Sequence, residues 1–394
     1  MLSFAAEWLN VLIRWFHLVA GIGWIGTSFY FIALDLKLRQ RSDMADGVAG
    51  AAWLVHGGGF YHVDKYVVAP AALPDDLVWY RWEAYLTFVS GFLLMNVQYY
   101  FNASAFLVDP AVLALPPQKA IAISVASLIL GWLAYDLLLM RTPIARHTPT
   151  LAVGVFALIV GAAWGYSHVF SGRGAFIHVG AMVGTIMAAN VFMVIIPNQR
   201  KIAAALMAGR TPDPAWALAG RRRSLHNNYL TLPVLVMMVS NHYPLLTGHP
   251  HGWLLVALIL IVGGGIRHAL NRHEAGDAFE RYRLALIAAA VALAVAVILT
   301  APRPRATVVG EVTDQDILQL TATHCIMCHS ARPTHDGFAA PPKDIVLTDI
   351  DHIRQYAPLI EIQAVQNEVM PLGNETGITP AERARLGAWI AAHR

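Results

Sequence analysis

Before residue 302 this chain carries eight stretches of about 20 mostly apolar residues, near 8–34, 83–101, 119–140, 150–168, 175–197, 229–246, 252–270 and 283–300. A run of that length matches the hydrocarbon thickness of a bilayer. In lipid the backbone must satisfy its own hydrogen bonds, so helices are the expected solution. The sixth stretch is the weakest, because Pro233 interrupts it and polar Asn241 and His242 end it. The chain is 57% hydrophobic and only 13% charged, against roughly a quarter charged in an ordinary soluble domain. No small-residue cleavage pattern precedes the first stretch, which therefore reads as a retained anchor.

Beyond residue 302 the composition changes. The chain's two cysteines fall here, as Cys325 and Cys328, with His329 directly after them. This C-x-x-C-H string is the signature of covalent haem c attachment, in which two thiols join the porphyrin and the histidine ligates iron. A redox dithiol would need a βαβ pattern nearby, and a zinc ribbon would need further ligand pairs; neither is present. The second axial ligand is expected to be Met370, with His335, His352 and His393 as competitors. Thr313 and Asp316 resemble a capping box ahead of Ile317, Leu318 and Leu320, while Thr379, Pro380 and Glu382 open a helix with Leu386, Trp389 and Ile390 on one face. The segment 313–394 resembles a class I cytochrome c. The expected organisation is an all-α chain with an eight-helix transmembrane bundle over 1–301, a linker at 302–312 with Pro302 and Pro304, and a small cytochrome c-like helical domain over 313–394.

Charge sets an orientation. The loops after the odd-numbered spans hold many basic residues, among them Lys37, Arg39, Arg41, Arg141, Arg200, Arg221, Arg222, Arg223, Arg267 and Arg272. Opposite loops hold little beyond Lys119 and Arg173. By the positive-inside rule both termini are external. Haem c attachment in an oxidising compartment demands the same. The net charge of +3 is then mostly this cytoplasmic bias, and no basic, aromatic-rich surface points to nucleic acid.

Polar side chains within spans are costly and mark sites or buried pairings. Toward the outer face lie His17, Asn96, Gln98, His168, His178, Asn241 and His242. Toward the inner face lie His56, His62, Glu83, Asn190, Asn198, His226, Asn227, Asn228 and His268. A histidine pair on neighbouring helices could ligate an additional b-type haem, while the plainer role is helix-to-helix hydrogen bonding. Gly263, Gly264 and Gly265 are expected to allow close helix packing.

The strings HLVAGIGWIGTSFYFIALD (17–35), HGGGFYHVDKY (56–66), AANVFMVIIPNQRK (188–201) and RRRSLHNNYLTLPVLVMMVSNHYP (221–244) resemble the bacterial membrane-bound urate oxidases, or urate hydroxylases. The resemblance covers essentially the whole chain. It implies eight spans in the bacterial cytoplasmic membrane, a periplasmic N-terminus and a periplasmic C-terminal cytochrome c. It also implies oxidation of urate to 5-hydroxyisourate without peroxide. Water supplies the oxygen, and electrons pass to a respiratory-chain acceptor, a soluble cytochrome c or a terminal oxidase. The family supplies no settled catalytic residues, so the chemistry of this chain's own side chains must suggest them.

Urate is a flat, weakly acidic purine and needs paired donors and acceptors, a cation and an aromatic slot. Candidate bases are His17, His226 and His242; candidate substrate contacts are Asn227, Asn228, Tyr229, Asn241 and His178. The HNNY string at 226–229, following the arginine run, reads equally as a helix N-cap. A core about 30 Å thick separates an inner site from an external haem, so an inner site needs a relay and an outer site near His17, His178 and His242 does not. The alternative from another class is a quinol-oxidising electron-transfer subunit whose catalytic partner is elsewhere.

Overall fold

Helix α1, Leu2–Lys37, runs into the one strand pair among the described residues, an antiparallel hairpin of β1, Val48–His56, and β2, Gly59–Tyr66. The computed structural model describes residues 2–66, 73–74, 76–301 and 310–393, with side chains from Trp8 onward. An all-α reading misses this hairpin. Its signal is the Gly57–Gly58 turn at φ +58° and +82°, backbone that glycine adopts freely and two-residue hairpin turns require.

The following helices are α2 (Trp82–Met95), α3 (Ala103–Phe106), α4 (Pro117–Leu133), α5 (Thr148–Ser167), α6 (Gly172–Ala189), α7 (Ile196–Met207), α8 (Pro214–Val239), α9 (Pro244–Thr247), α10 (Gly252–Glu274) and α11 (Arg283–Leu299). π-helical turns at Asn96–Tyr100, Ala134–Met140 and Asn190–Ile195 extend α2, α4 and α6. Among the described residues, five rods are long and apolar enough to cross a membrane: Trp8–Lys37, Pro117–Met140, Thr148–Ser167, Gly172–Met207 and Gly252–Glu274. Helix α11 is apolar but has 17 residues. Helix α8 includes Arg221, Arg222, Arg223, His226, Asn227 and Asn228, which lower its hydropathy. The expected sixth span, 229–246, thus begins too late; Asp213 caps α8 by accepting from the Ala215 N–H, with Pro214 at its first turn.

Helix α6 lies at the centre, packed on α4, α5 and α8, while α10 packs on α5, α8 and α11, and α1 on α2. A Cβ at Gly263 would lie 2.7 Å from Pro233 of α8, and one at Gly265 would lie 2.8 Å from the Ala285 carbonyl of α11. The glycines therefore serve close packing. The polarity of this part is inverted relative to a soluble domain. Asp136, His178, Asn190 and Asn228 are buried, whereas Trp15, Ile22, Leu284 and Ile298 are more than half exposed.

The expected linker 302–312 falls largely outside the described residues, at 302–309. After it come α12 (Asp314–His324), α13 (Ile350–Ile360) and α14 (Pro380–Ala392). The expected capping box of Thr313 with Asp316 forms, and the helix opened by Thr379 carries a second one with Glu382, each side chain serving the other's backbone N–H. Ile317, Leu320, Ile353, Leu386, Trp389 and Ile390 make an apolar cluster separate from that of the long helices. The buried Trp389 indole donates to Asp314 Oδ1 at 2.8 Å, tying α14 to the start of α12. The C-terminal segment meets the long helices through glycine. Gly373, at φ +56°, would place a Cβ 2.7 Å from the Val108 carbonyl, and Gly248 would place one 1.7 Å from the Asn367 carbonyl.

Candidate functional site

The C-x-x-C-H string forms a single tight turn at the end of α12. The Cys328 and His329 N–H groups donate to the Cys325 carbonyl at 3.2 and 2.9 Å. His329 Nδ1 lies 3.0 Å from the Ile345 carbonyl. A carbonyl can only accept, so Nδ1 carries the proton and Nε2 keeps the lone pair a metal ligand requires. Both thiols are free. Burial pushes the Cys325 thiol up to about 12 and raises that of Cys328, opposite to the lowered values on which thiol exchange depends. Met370 packs on the same apolar cluster as Cys325, and its carbonyl accepts from Arg383 Nη1 at 2.6 Å.

The competing histidines are engaged elsewhere. His335 Nε2 pairs with Glu375 at 2.9 Å while its Nδ1 accepts from the Gly337 N–H. His352 pairs with Asp349 at 2.5 Å. His393 Nδ1 donates to the Trp389 carbonyl at 2.9 Å. The donor set Cys325, Cys328, His329 and Met370 therefore suits a covalently attached haem, with the histidine tautomer already fixed.

Two buried polar clusters lie among the long helices. In the first, His178 Nδ1 donates to the Gly174 carbonyl at 2.6 Å. Its Nε2 must then accept, which makes Ser124 Oγ, 2.5 Å away, the donor. Tyr100 in turn donates to Ser124 at 2.7 Å. The result is a directed chain of protons from Tyr100 through Ser124 and His178 to a backbone carbonyl. Phe170, Tyr166 and Tyr99 surround the imidazole with ring centroids at 4.5, 5.7 and 6.2 Å, and Asn241 donates to the Tyr99 hydroxyl.

The structure does not assemble the expected trio of His17, His178 and His242. His17 faces α2, where Nδ1 meets the Thr87 carbonyl and Ser90 Oγ, each at 3.0 Å. His242 is exposed, in the turn that follows α8. Asn96, Gln98 and His168 likewise bind local or surface partners: the Phe92 carbonyl, Asn10 and the Trp164 carbonyl.

In the second cluster Asp136, on the π turn after α4, accepts from Arg223 and from Arg141, the latter at 2.7 Å. Arg223 Nη1 donates to Asn190 at 2.9 Å, Asn190 to Asn227 at 2.9 Å, and Asn227 to the Met187 carbonyl at 2.9 Å. Tyr135 and His226 Nδ1 are 2.7 Å apart. The HNNY string lies well inside α8, not at its start, so the N-cap reading is replaced. Helical geometry sends each side chain to a different partner: Asn228 to Arg267 and Asn271, and Tyr229 to His268 at 2.9 Å. Arg223 and Arg267, expected in basic loops, are instead buried within helices. Asp136 was not among the expected polar residues. A lone acid inside an apolar run is its signal.

A half-open cavity of about 230 Å³ lies where the first cluster approaches the C-terminal segment. Asp109, Phe170, Arg173, Thr247 and Trp253 line one side, and Glu368–Asn374, which contains Met370, forms the other. Arg173 Nε and Thr247 Oγ1 are buried there without a hydrogen-bond partner. Burial raises the Asp109 carboxyl above its usual range, while the Ala111 and Val112 N–H groups and Arg383 oppose that shift.

Among the described residues, no group of three or more His, Cys, Asp or Glu side chains is placed to hold a metal ion. No curated protein and no solved structure matches the chain. Residues 3–301 match the family described as urate oxidase N-terminal, so the whole run of long helices with both polar clusters is family sequence, and the chain belongs to that family.

Proposed function

We propose that this chain is a membrane-bound oxidoreductase that hydroxylates urate and passes the electrons to its own C-terminal segment, read as a cytochrome c domain. The reaction balances as urate plus water giving 5-hydroxyisourate, two protons and two electrons. Oxygen comes from water, so no peroxide forms. The observation that carries this reading is the union in one chain of urate oxidase family sequence at 3–301 with a C-x-x-C-H turn in which His329 keeps Nε2 as a lone pair.

Cys325 and Cys328 would hold haem c by thioethers, with His329 and Met370 offered to its iron. Haem bound there supplies a one-electron acceptor. The rest falls to this chain's own residues. The Ile345 carbonyl fixes the His329 tautomer, Arg383 holds the Met370 backbone carbonyl, and Tyr100, Ser124 and His178 form a buried hydrogen-bonded row. Exposed apolar side chains on α1 and α11 support contact with lipid, and the charge bias of the loops supports external termini.

The test is anaerobic addition of urate to the oxidised, purified protein while the c-haem absorption is followed. One urate should reduce two haems. Cys325→Ala and Cys328→Ala should each abolish covalent haem staining. A wild-type protein that urate leaves oxidised, and a quinol reduces, would instead be an electron-transfer subunit.

A further inference from the structure

The cavity between the long helices and the Glu368–Asn374 loop has a chemistry of its own. Its wall includes Thr247, 3% exposed with an unpartnered Oγ1, and Arg173, whose Nε is also buried and unpartnered. Leaving a buried polar atom without a partner is costly, and these two belong to side chains that line the same cavity, where a bound polar ligand would relieve that cost. Phe170, Phe176 and Trp253 give the same cavity flat apolar walls.

We propose that this cavity binds urate, held as a planar purine anion, an assignment that rests on the urate reading above. Arg173 donates to the carbonyl edge that carries the negative charge. Thr247 Oγ1 and the Asp109 carboxylate meet the ring carbonyl and N–H groups, so both signs of charge are needed in the wall. Its volume of about 230 Å³ sits below the roughly 300 to 1,000 Å³ of pockets for drug-sized ligands, which suits a two-ring molecule.

Position supports the assignment as strongly as chemistry. Val369 and Pro371, the chain neighbours of Met370, line the cavity, so its occupant lies against the loop that carries the expected iron ligand. Electrons leaving urate here need not cross the apolar core, about 30 Å thick, which separates the Asp136 cluster from this face. The Phe170 ring lines the cavity and packs on His178, ring centroids 4.5 Å apart.

The experiment compares wild type with Arg173→Gln and Thr247→Val, using the haem-loaded, full-length protein. Two quantities are read: the urate concentration for half-maximal haem reduction, and binding of radiolabelled urate by equilibrium dialysis against dithionite-reduced protein, in which no turnover occurs. Loss of one buried, charge-assisted hydrogen bond should weaken both by about tenfold for Arg173→Gln, and by about threefold or more for Thr247→Val. Haem content and dithionite reduction should match wild type. Arg173→Lys and Thr247→Ser, which keep the charge and the hydroxyl, should recover part of the loss and exclude misfolding as its cause. Half-saturation and binding within twofold of wild type in both Arg173→Gln and Thr247→Val, with wild type reduced by urate, would overturn the cavity assignment and leave the urate reading standing. A wild type that urate does not reduce would overturn the urate reading, and the substrate assignment with it.

Discussion

The two buried polar clusters differ in how completely they are closed. Around Asp136 one carboxylate meets two arginines, and Asn190 and Asn227 carry the network on to a backbone carbonyl, although Asn228 Nδ2 and Asn271 Oδ1, further along on the same side, stay without partners. Around His178 the proton chain is also complete, yet the adjoining wall leaves Arg173 Nε and Thr247 Oγ1 without partners beside a cavity. A closed network holds helices together; an open one has affinity left for a ligand. The difference lies in local hydrogen-bond completeness and not in residue type, since both clusters contain a histidine, a tyrosine, an arginine and an asparagine.

That contrast can be broken most sharply at Asp136. Asp136→Ala leaves Arg223 buried and uncompensated, which is expected to destabilise the protein by about 3–5 kcal/mol in a thermal melt in detergent. Half-saturation by urate should be unchanged in the folded fraction; a weaker urate response at full stability would make this cluster the substrate site. At the outer cluster, His178→Ala strips Ser124 and Tyr100 of their acceptor and is expected to cost about 1–3 kcal/mol. There the electron yield from urate should fall by more than stability explains, and unchanged turnover would confine His178 to packing.

The smallest effect concerns the C-terminal helix caps, far from either cluster. Hydrogen bonds from the partner N–H and hydroxyl groups hold Asp316 and Glu382 below the usual carboxylate range, and bonds from His352 do the same for Asp349. Groups with lowered values in the folded state add stability above the ordinary carboxylate pKa of about 4 and lose it as pH falls through the lowered values. Protection of the α12 and α14 amides from hydrogen exchange should therefore decline only below about pH 4. Thr379→Ala should cost about 1 kcal/mol in the same helices at neutral pH. Protection independent of pH down to 2 would contradict the capping role.

Local signals were read correctly where partners are close in sequence. Thr313 and Asp316, and Thr379 and Glu382, are three residues apart, and Leu386, Trp389 and Ile390 follow the helical period. Long-range partners were not legible. Arg223 meets Asp136 across 87 positions, and nothing local distinguishes it from Arg221 and Arg222. The Arg267 guanidinium, 3.9 Å from the Phe29 ring centroid, falls inside the expected seventh span at 252–270, yet its charge alone groups it with the loop arginines. The hairpin lacks strand alternation in its apolar β1, and its local mark is the glycine pair at 57 and 58. The cavity draws its wall from segments near 109, 173, 247 and 370, and no window of sequence contains it.

The contacts at Gly248 and Gly373 bring the C-terminal segment within backbone distance of the long helices. As the electron carrier proposed above, a segment seated in this way is never a diffusing partner. Exchange between the two parts of the chain should then be indifferent to protein concentration and nearly so to ionic strength, because no encounter has to be steered. Salt should be felt only one step later, where the electron passes to a separate molecule.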